Sequence, residues 1–168
     1  MQYKPMKHIY RHARQWLVVL SCTALSPWAV AQPQAPMIPF ELKASTLDGA
    51  DFKTDTLKNK VAMVFYWSTS CGVCLSHLAE LRANLVGWRG KPFELVTVNV
   101  DADMGAWRTY EHIAAQTQPV RPVSLWTGKP PKGRLPVTVV IDSKGTVAAR
   151  HEGRIAPEAW DAVAELMP

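Results

Sequence analysis

Apolar and polar residues repeat with two different periods along this chain, and these periods predict its strands and helices. The densest apolar run is Val61–Trp67, which is rich in β-forming residues and predicts a strand buried on both faces of a sheet. Over residues 75–86, leucines recur every three or four positions, which predicts an amphipathic helix. A buried strand followed at once by a helix is therefore the centre of the predicted fold.

The remaining segments complete an α/β pattern. Further strands are predicted at residues 40–44, 93–100, 137–141 and 146–150, a short strand or extended arm at residues 51–56, and further helices at residues 104–115 and 157–167. A strand–helix–strand passage requires a parallel pair with a right-handed crossover, whereas the last two strands form a hairpin. The sequence thus predicts a mixed sheet with helices on both faces. Residues 123–126 form a short apolar piece within an irregular, proline-rich stretch.

The first 31 residues have the pattern of a secretory signal peptide. A basic leader precedes an apolar stretch, residues 16–30, which ends in the small-x-small sequence Ala29-Val30-Ala31. That stretch is shorter than the roughly 20 residues that span a bilayer. We therefore expect cleavage after residue 31 and a periplasmic mature protein, with an uncleaved N-terminal membrane anchor as the alternative.

Removal of the leader on export would change how the net charge of the chain is interpreted. The chain has 168 residues and a formal charge of +5, from 19 basic and 14 acidic residues. Four of the basic residues belong to the leader, so 15 remain against 14, and the high isoelectric point is no evidence for nucleic-acid binding. Residues 32–38 are a linker, and residues 39–168 suit one domain, which we expect to be monomeric.

Cys71-Gly-Val-Cys74 lies between the predicted strand and the first predicted helix. This layout is typical of a thiol–disulfide redox site, because a helix N-terminus stabilises a thiolate. Cys71, nearest the helix start, is the predicted nucleophile, and Cys74 is the predicted resolving thiol. The alternatives are a metal-bound pair and a structural disulfide, although so short a loop would constrain little unfolded-chain entropy.

These features together resemble the thioredoxin fold, and more closely the exported thiol–disulfide reductase (TlpA/ResA-like) family, which includes proteins of cytochrome c maturation. The resemblance covers roughly residues 40–167. It is carried by Leu47-Asp-Gly49, the run from Lys60 to Trp67, Cys71-Gly-Val-Cys74, Val98-Asn-Val-Asp101 and Leu135-Pro-Val-Thr-Val-Val-Ile-Asp142. It implies a thioredoxin-like α/β fold with a mixed central sheet.

The resemblance also implies roles for three further residues. Pro136 would be cis and lie beside the two sulfurs, and Leu135 would offer backbone groups to an extended substrate segment. Trp67 would lie beside the active site as a third substrate-binding residue. The implied partners are protein thiols and disulfides and a membrane-bound electron donor, with no cofactor.

Three positions depart from the family pattern. Ser70 precedes the first cysteine, where an aromatic residue is usual, and this removes an apolar contact surface. Phe65 stands where thioredoxins have a buried aspartate, so proton transfer would rely on water or another group. Val137 follows the proline where cytochrome-maturation proteins often carry an acidic residue, so the specific role in cytochrome c maturation is in doubt.

His77 is the nearest candidate for a metal ligand besides the cysteines. On a helix it would point about 120° away from Cys71, and zinc needs about four converging ligands. The chain has no second cluster of cysteines or histidines. We therefore predict that no metal binds and that His77 lies on a polar helix face.

A basic, proline-rich segment occupies residues 129–134, directly before Leu135 and Pro136. It has two interpretations from sequence. It is either a solvated loop or a rim that contacts an acidic partner.

The predicted function is therefore that of an exported thiol–disulfide oxidoreductase that reduces protein disulfides. A disulfide oxidant or isomerase is one alternative, because Gly-Val between the cysteines indicates neither direction. A metal-handling thiol protein without turnover is another. A peroxidase is disfavoured because Ser68 stands where such sites of this fold usually keep a threonine.

Overall fold

The computed structural model describes residues 38–168, which build a mixed five-stranded sheet and three α-helices. After a 3-10 helix at Thr54–Leu57, the elements in chain order are β1 (Val61–Trp67), α1 (Gly72–Gly87), β2 (Phe93–Asn99), α2 (Met104–Thr117), β3 (Val123–Trp126), β4 (Val137–Ile141), β5 (Val147–Glu152) and α3 (Pro157–Glu165). The predicted signal peptide lies outside the described residues. Within them, no helix combines the length and apolar character needed to cross a bilayer.

The sheet has the strand order β3-β2-β1-β4-β5. β1 pairs in parallel with β2 and antiparallel with β4, and β4 and β5 form an antiparallel pair. Both the parallel pair and the late hairpin are thus confirmed. β1 is central, and six of its seven residues are buried, because a strand covered on both faces has no side that favours polar residues.

The three α-helices contribute to one core on one face of the sheet. The passages β1-α1-β2 and β2-α2-β3 both step in the same direction along the sheet. Right-handed crossovers in the same direction place their helices on the same face. Accordingly Leu78 of α1, Trp107 of α2 and Val163 of α3 join one buried cluster with Met63 and Phe65 of β1.

The opposite face is covered by the segment that precedes β1. Leu42, Ala44 and Leu57 pack there with Val64 and Val96 of the sheet. The helices predicted on both faces are therefore distributed unequally. In the described part of the chain, the only helix on this face is the 3-10 helix that carries Leu57. The reason is that residues 127–136, which cross from β3 to β4, form no helix.

Three element predictions need correction. Residues 40–44 show the predicted alternation of buried and exposed side chains but form no strand, and Ser45 makes only isolated bridges. The extended arm predicted at residues 51–56 turns into the 3-10 helix. Val123–Trp126, not predicted as a strand, is β3, because pairing with β2 supplies backbone hydrogen bonds that the local sequence does not reveal.

Candidate active site

Cys71 and Cys74 form a disulfide at the start of α1, with an S–S distance of 2.05 Å and a Cα–Cα distance of 5.2 Å. Cys71 is the N-cap residue, and its Sγ accepts a hydrogen bond from the Cys74 backbone N–H at 3.2 Å. Cys71 is partly exposed, whereas Cys74 is wholly buried. Of the two cysteines, only Cys71 is therefore accessible to another molecule, and on reduction its thiolate would face the N–H groups and positive end of the helix.

Pro136 lies at the same end of the sheet as the disulfide. Val137 pairs with Tyr66, so Pro136 is opposite the last residue of β1, from which the chain continues into the loop before Cys71. The Leu135–Pro136 peptide bond is cis, as the resemblance implies. The Pro136 carbonyl accepts a hydrogen bond from the Gly153 N–H at 2.8 Å, which ties this turn to the end of β5.

Leu135 packs beside the core cluster that contains Cys74, and Cys71 packs on the same cluster. Within residues 38–168, the backbone N–H and carbonyl of Leu135 make no hydrogen bond to another part of the chain. Both groups therefore remain available at the edge of the site. Substrate binding by Leu135 and Pro136 stays a prediction.

The substrate contact predicted for Trp67 needs correction. Its side chain is fully buried, and its ring centroid lies 4.6 Å from that of Tyr110 on α2. Because β1 is covered on this face by the helices, the indole packs beneath the site. Trp67 thus supports the end of β1 from inside the core.

Asp101 is an important residue of the site that the sequence reasoning missed. Its carboxylate accepts hydrogen bonds from the Ser68 hydroxyl, the Thr69 N–H at 2.9 Å, the Thr69 hydroxyl at 2.7 Å and the Asn99 amide at 3.0 Å. The neighbouring Asp103 caps α2 by accepting the Gly105 N–H. Asp101 instead anchors the loop that leads to Cys71. The order of the strands offered a signal, because parallel β1 and β2 end side by side.

The hydrogen bonds to Asp101 determine which way the neighbouring hydroxyls point. Burial raises the pKa of Asp101, but hydrogen bonds from Ser68, Thr69 and Asn99 outweigh it and hold the pKa below its ordinary value. An ionised carboxylate only accepts hydrogen bonds, so Ser68 donates its proton to Asp101. Ser70, whose Oγ lies 2.8 Å from that of Ser68, must then donate to Ser68. The Ser70 oxygen beside Cys71 therefore presents only lone pairs to its surroundings.

The prediction that His77 lies on a polar surface is wrong, because its side chain is completely buried. Its Nε2 accepts the Ile155 backbone N–H at 3.2 Å, and its Nδ1 lies 3.1 Å from a Glu80 carboxylate oxygen. Because a backbone N–H can only donate, Nδ1 carries the ring proton and donates to Glu80. The Nε2 lone pair is thus engaged and is not offered to the cysteines.

The buried aspartate of thioredoxins has no acidic replacement here. Phe65 is wholly buried in the cluster that contains Cys74, and its ring lies 5.6 Å from that of His77. Among residues 38–168, no three His, Cys, Asp or Glu side chains converge as metal ligands. The chemistry available at this site is therefore that of two cysteines at a helix start, next to the anchored loop and the cis-proline turn.

Comparison with protein families matches residues 33–152 to the AhpC/TSA family. That match covers well over half of the chain and includes both cysteines. No curated protein sequence matches the chain significantly.

Solved structures show the same fold. A thiol:disulfide interchange protein of the thioredoxin family from Chlorobium tepidum has a TM-score of 0.60 and 20% identity, covering 78% of this chain and 97% of that one. A thiol-disulfide isomerase from Corynebacterium glutamicum has a TM-score of 0.61 and 13% identity, covering 80% and 97%. The exposed lipoprotein thioredoxin Etrx1 from Streptococcus pneumoniae has a TM-score of 0.58 and 17% identity, covering 76% and 100%. The fold is therefore thioredoxin-like.

Proposed function

The chain belongs to the AhpC/TSA family, and we propose that this thiol–disulfide oxidoreductase reduces protein disulfides through Cys71 and Cys74 after export. The observation that carries the proposal is the disulfide at the start of α1, in which Cys71 is partly exposed and Cys74 is buried. Such an arrangement suits one attacking and one resolving sulfur.

The proposed reaction begins with the dithiol form. The Cys71 thiolate attacks one sulfur of a substrate disulfide, the substrate S–S bond breaks, and the leaving thiolate takes a proton from water. Cys74 then loses its proton and attacks the Cys71 sulfur of the mixed disulfide. The Cys71–Cys74 bond forms, and the second substrate thiol is released. Two electrons pass from the protein to the substrate, and a membrane-bound donor would have to restore the dithiol.

Trapping tests the two cysteine roles. In Cys74→Ser, the attacking sulfur remains but resolution fails, so mixed disulfides with substrate should accumulate and run as thiol-sensitive adducts on gels. In Cys71→Ser, the remaining thiol is buried, so adducts should be absent, and both variants should lose insulin reduction. Equal trapping by both variants would contradict the assignment.

The reduction potential tests the direction of electron flow. A reductase should equilibrate with dithiothreitol or glutathione buffers near the thioredoxin value of about −270 mV, and an oxidant near the DsbA value of about −120 mV. A value close to the second would reverse the proposed direction. Tight binding of copper or zinc with no insulin reduction would instead favour a metal-handling protein.

The periplasmic location is supported by the leader pattern of residues 1–31 and by the likeness to an exposed lipoprotein thioredoxin. A fusion of residues 1–40 to a reporter active only after export tests this location. Mass spectrometry of the mature N-terminus distinguishes cleavage after residue 31 from an uncleaved anchor. A cytoplasmic reporter would contradict the location.

A further inference from the structure

The loop that joins β3 to cis-Pro136 carries three exposed cationic side chains, Lys129, Lys132 and Arg134, which we name the basic rim. None of the three makes an ion pair with a carboxylate within residues 38–168, although other exposed cations nearby do. Together with Arg150 on β5, the rim sets four positive charges against the single carboxylate of Glu152. The excess of positive charge at this place is therefore about three.

The backbone of the basic rim is held in place by β5. The Glu152 carboxylate accepts the Arg134 N–H at 3.2 Å and pairs with Arg150 at 2.8 Å. Arg150 also donates to the Lys132 carbonyl. On the loop, Glu152 and Arg150 contact only backbone groups, and their ion pair lies within β5. The rim side chains themselves therefore stay exposed.

Gly133 makes this close approach feasible. Its φ is +97°, and a Cβ at this position would lie 2.2 Å from Oε1 of Glu152. Pro130 and Pro131 restrict the backbone on the other side of Lys132. A loop held in this way loses little further conformational freedom when a partner binds. A freely solvated charged segment would not need a backbone fixed in this way.

The basic rim also lies at the end of the sheet where the disulfide lies. Arg134 is two residues before Pro136, which the register of β1 and β4 places opposite the end of β1. The Asp101 carboxylate, which anchors the loop before Cys71 through Ser68, Thr69 and Asn99, adds one negative charge at this end and offsets only part of the rim's positive excess. A substrate whose sulfur reaches Cys71 therefore approaches beside an excess of positive charge.

We propose that the basic rim binds acidic side chains flanking the disulfide of the partner protein, and so selects acidic substrates for exchange at Cys71. This inference rests on the proposed function, since the rim serves the same site. Complementary charges at the rim of an interface mainly raise the association rate and make it sensitive to salt. The proposed partner is an exported protein with Asp or Glu residues close to its disulfide.

The test measures how fast the reduced full chain reduces three peptides with the same intramolecular disulfide, flanked by Glu, Gln or Lys. Neutral hydroxyethyl disulfide is a fourth substrate that reports the exchange chemistry alone. At low salt, we expect the Glu peptide to react about tenfold faster than the Gln peptide, within the range of electrostatic steering. This advantage should disappear in high salt, and the Lys peptide should react most slowly.

The variant Lys129→Glu/Lys132→Glu reverses two rim charges and should lose the advantage for the Glu peptide, again by about tenfold. The matched control is Arg89→Glu/Lys144→Glu, which changes the net charge equally. Arg89 follows the end of α1, which is about 24 Å long, and Lys144 lies in the turn between β4 and β5, so both are remote from Cys71. The control should keep the peptide preference, and all variants should reduce hydroxyethyl disulfide at the same rate.

The possible failures are distinguishable. If the unmodified chain reduces hydroxyethyl disulfide and all three peptides equally, the rim proposal is overturned and the proposed function stands. If it reduces none of them, the proposed function itself fails. Equal losses in the rim and control variants would show that the preference depends on net charge alone, and would also overturn the rim proposal. Loss of binding to vesicles containing an anionic lipid, with unchanged peptide preference, would identify a membrane contact and also overturn the proposal.

Discussion

Replacement of His77 by leucine tests how the helix that carries the cysteines is joined to the rest of the core. His77 lies one turn after Cys74, is fully buried, and accepts the Ile155 backbone N–H at 3.2 Å. Leucine has a similar volume but no acceptor. The variant would therefore leave the N–H of Ile155, itself a buried residue, without a partner, while most of the packing around position 77 is retained.

The expected loss of stability is about 2 kcal/mol. An unsatisfied buried N–H group costs roughly 1–3 kcal/mol. The loss of the contact with Glu80 adds little, because that carboxylate is partly exposed and keeps its ion pair with Arg154 at 2.5 Å. For a domain of about 130 residues, 2 kcal/mol corresponds to a fall in Tm of about 7 °C.

Urea unfolding of the oxidised protein at neutral pH gives the free energy of unfolding directly. His77→Leu should lower the midpoint without changing the slope. His77→Gln should recover much of the loss, because a glutamine oxygen can accept the same N–H. The control is His112→Leu on the exposed side of α2, which should change the free energy by less than about 0.5 kcal/mol. A leucine variant as stable as the parent, or a glutamine variant no better than leucine, would refute the reasoning.

Two further predictions concern the site loops. Hydrogen bonds lower the pKa of Asp101 despite its burial, so its contribution to stability is present above the unfolded value of about 3.9 and is lost as pH falls below it. The difference in unfolding free energy between the parent and Asp101→Asn should therefore shrink from pH 6 to pH 2.5, and a constant difference would contradict this. Gly133→Ala should lose roughly 1–3 kcal/mol, because its φ of +97° favours glycine. Gly87→Ala, whose Cβ would meet no atom within 4 Å, is the control and should be neutral or stabilising in the same unfolding assay.

Features that depend on a few neighbouring residues were predictable from the sequence. The bounds of β1 follow from its unbroken apolar run, and the start of β4 follows from the change of composition at Pro136. α2 begins at residue 104, as its sequence pattern predicts, with Asp103 as its N-cap. The position of the cysteine pair at the start of α1 was likewise predictable, because the two-residue spacing of the cysteines and the leucine repeat that follows lie within one short segment.

Features that depend on distant partners were not predictable in this way. His77 was expected on a polar face, but its partner Ile155 lies 78 residues further along the chain and makes burial of the imidazole favourable. The hydrogen bond between Asp101 and Ser68, 33 residues away, was not predicted, and it exists because β1 and β2 end side by side. A short segment such as Val123–Trp126 becomes a strand only when a neighbouring strand, here β2, has a free edge with which it can pair.

The sequence by itself therefore determined the periodic elements, the chemistry of the cysteine pair and the family resemblance, because each is encoded in residues close together along the chain. The tertiary structure alone decided which face the helices cover, since that depends on strand order and crossover hand. It also decided which polar side chains are buried, and how Glu152 and Arg150 hold the loop of the basic rim at the end of the sheet where the disulfide lies. Hydrogen bonds between groups far apart in sequence stabilise these arrangements, and no local pattern specifies them.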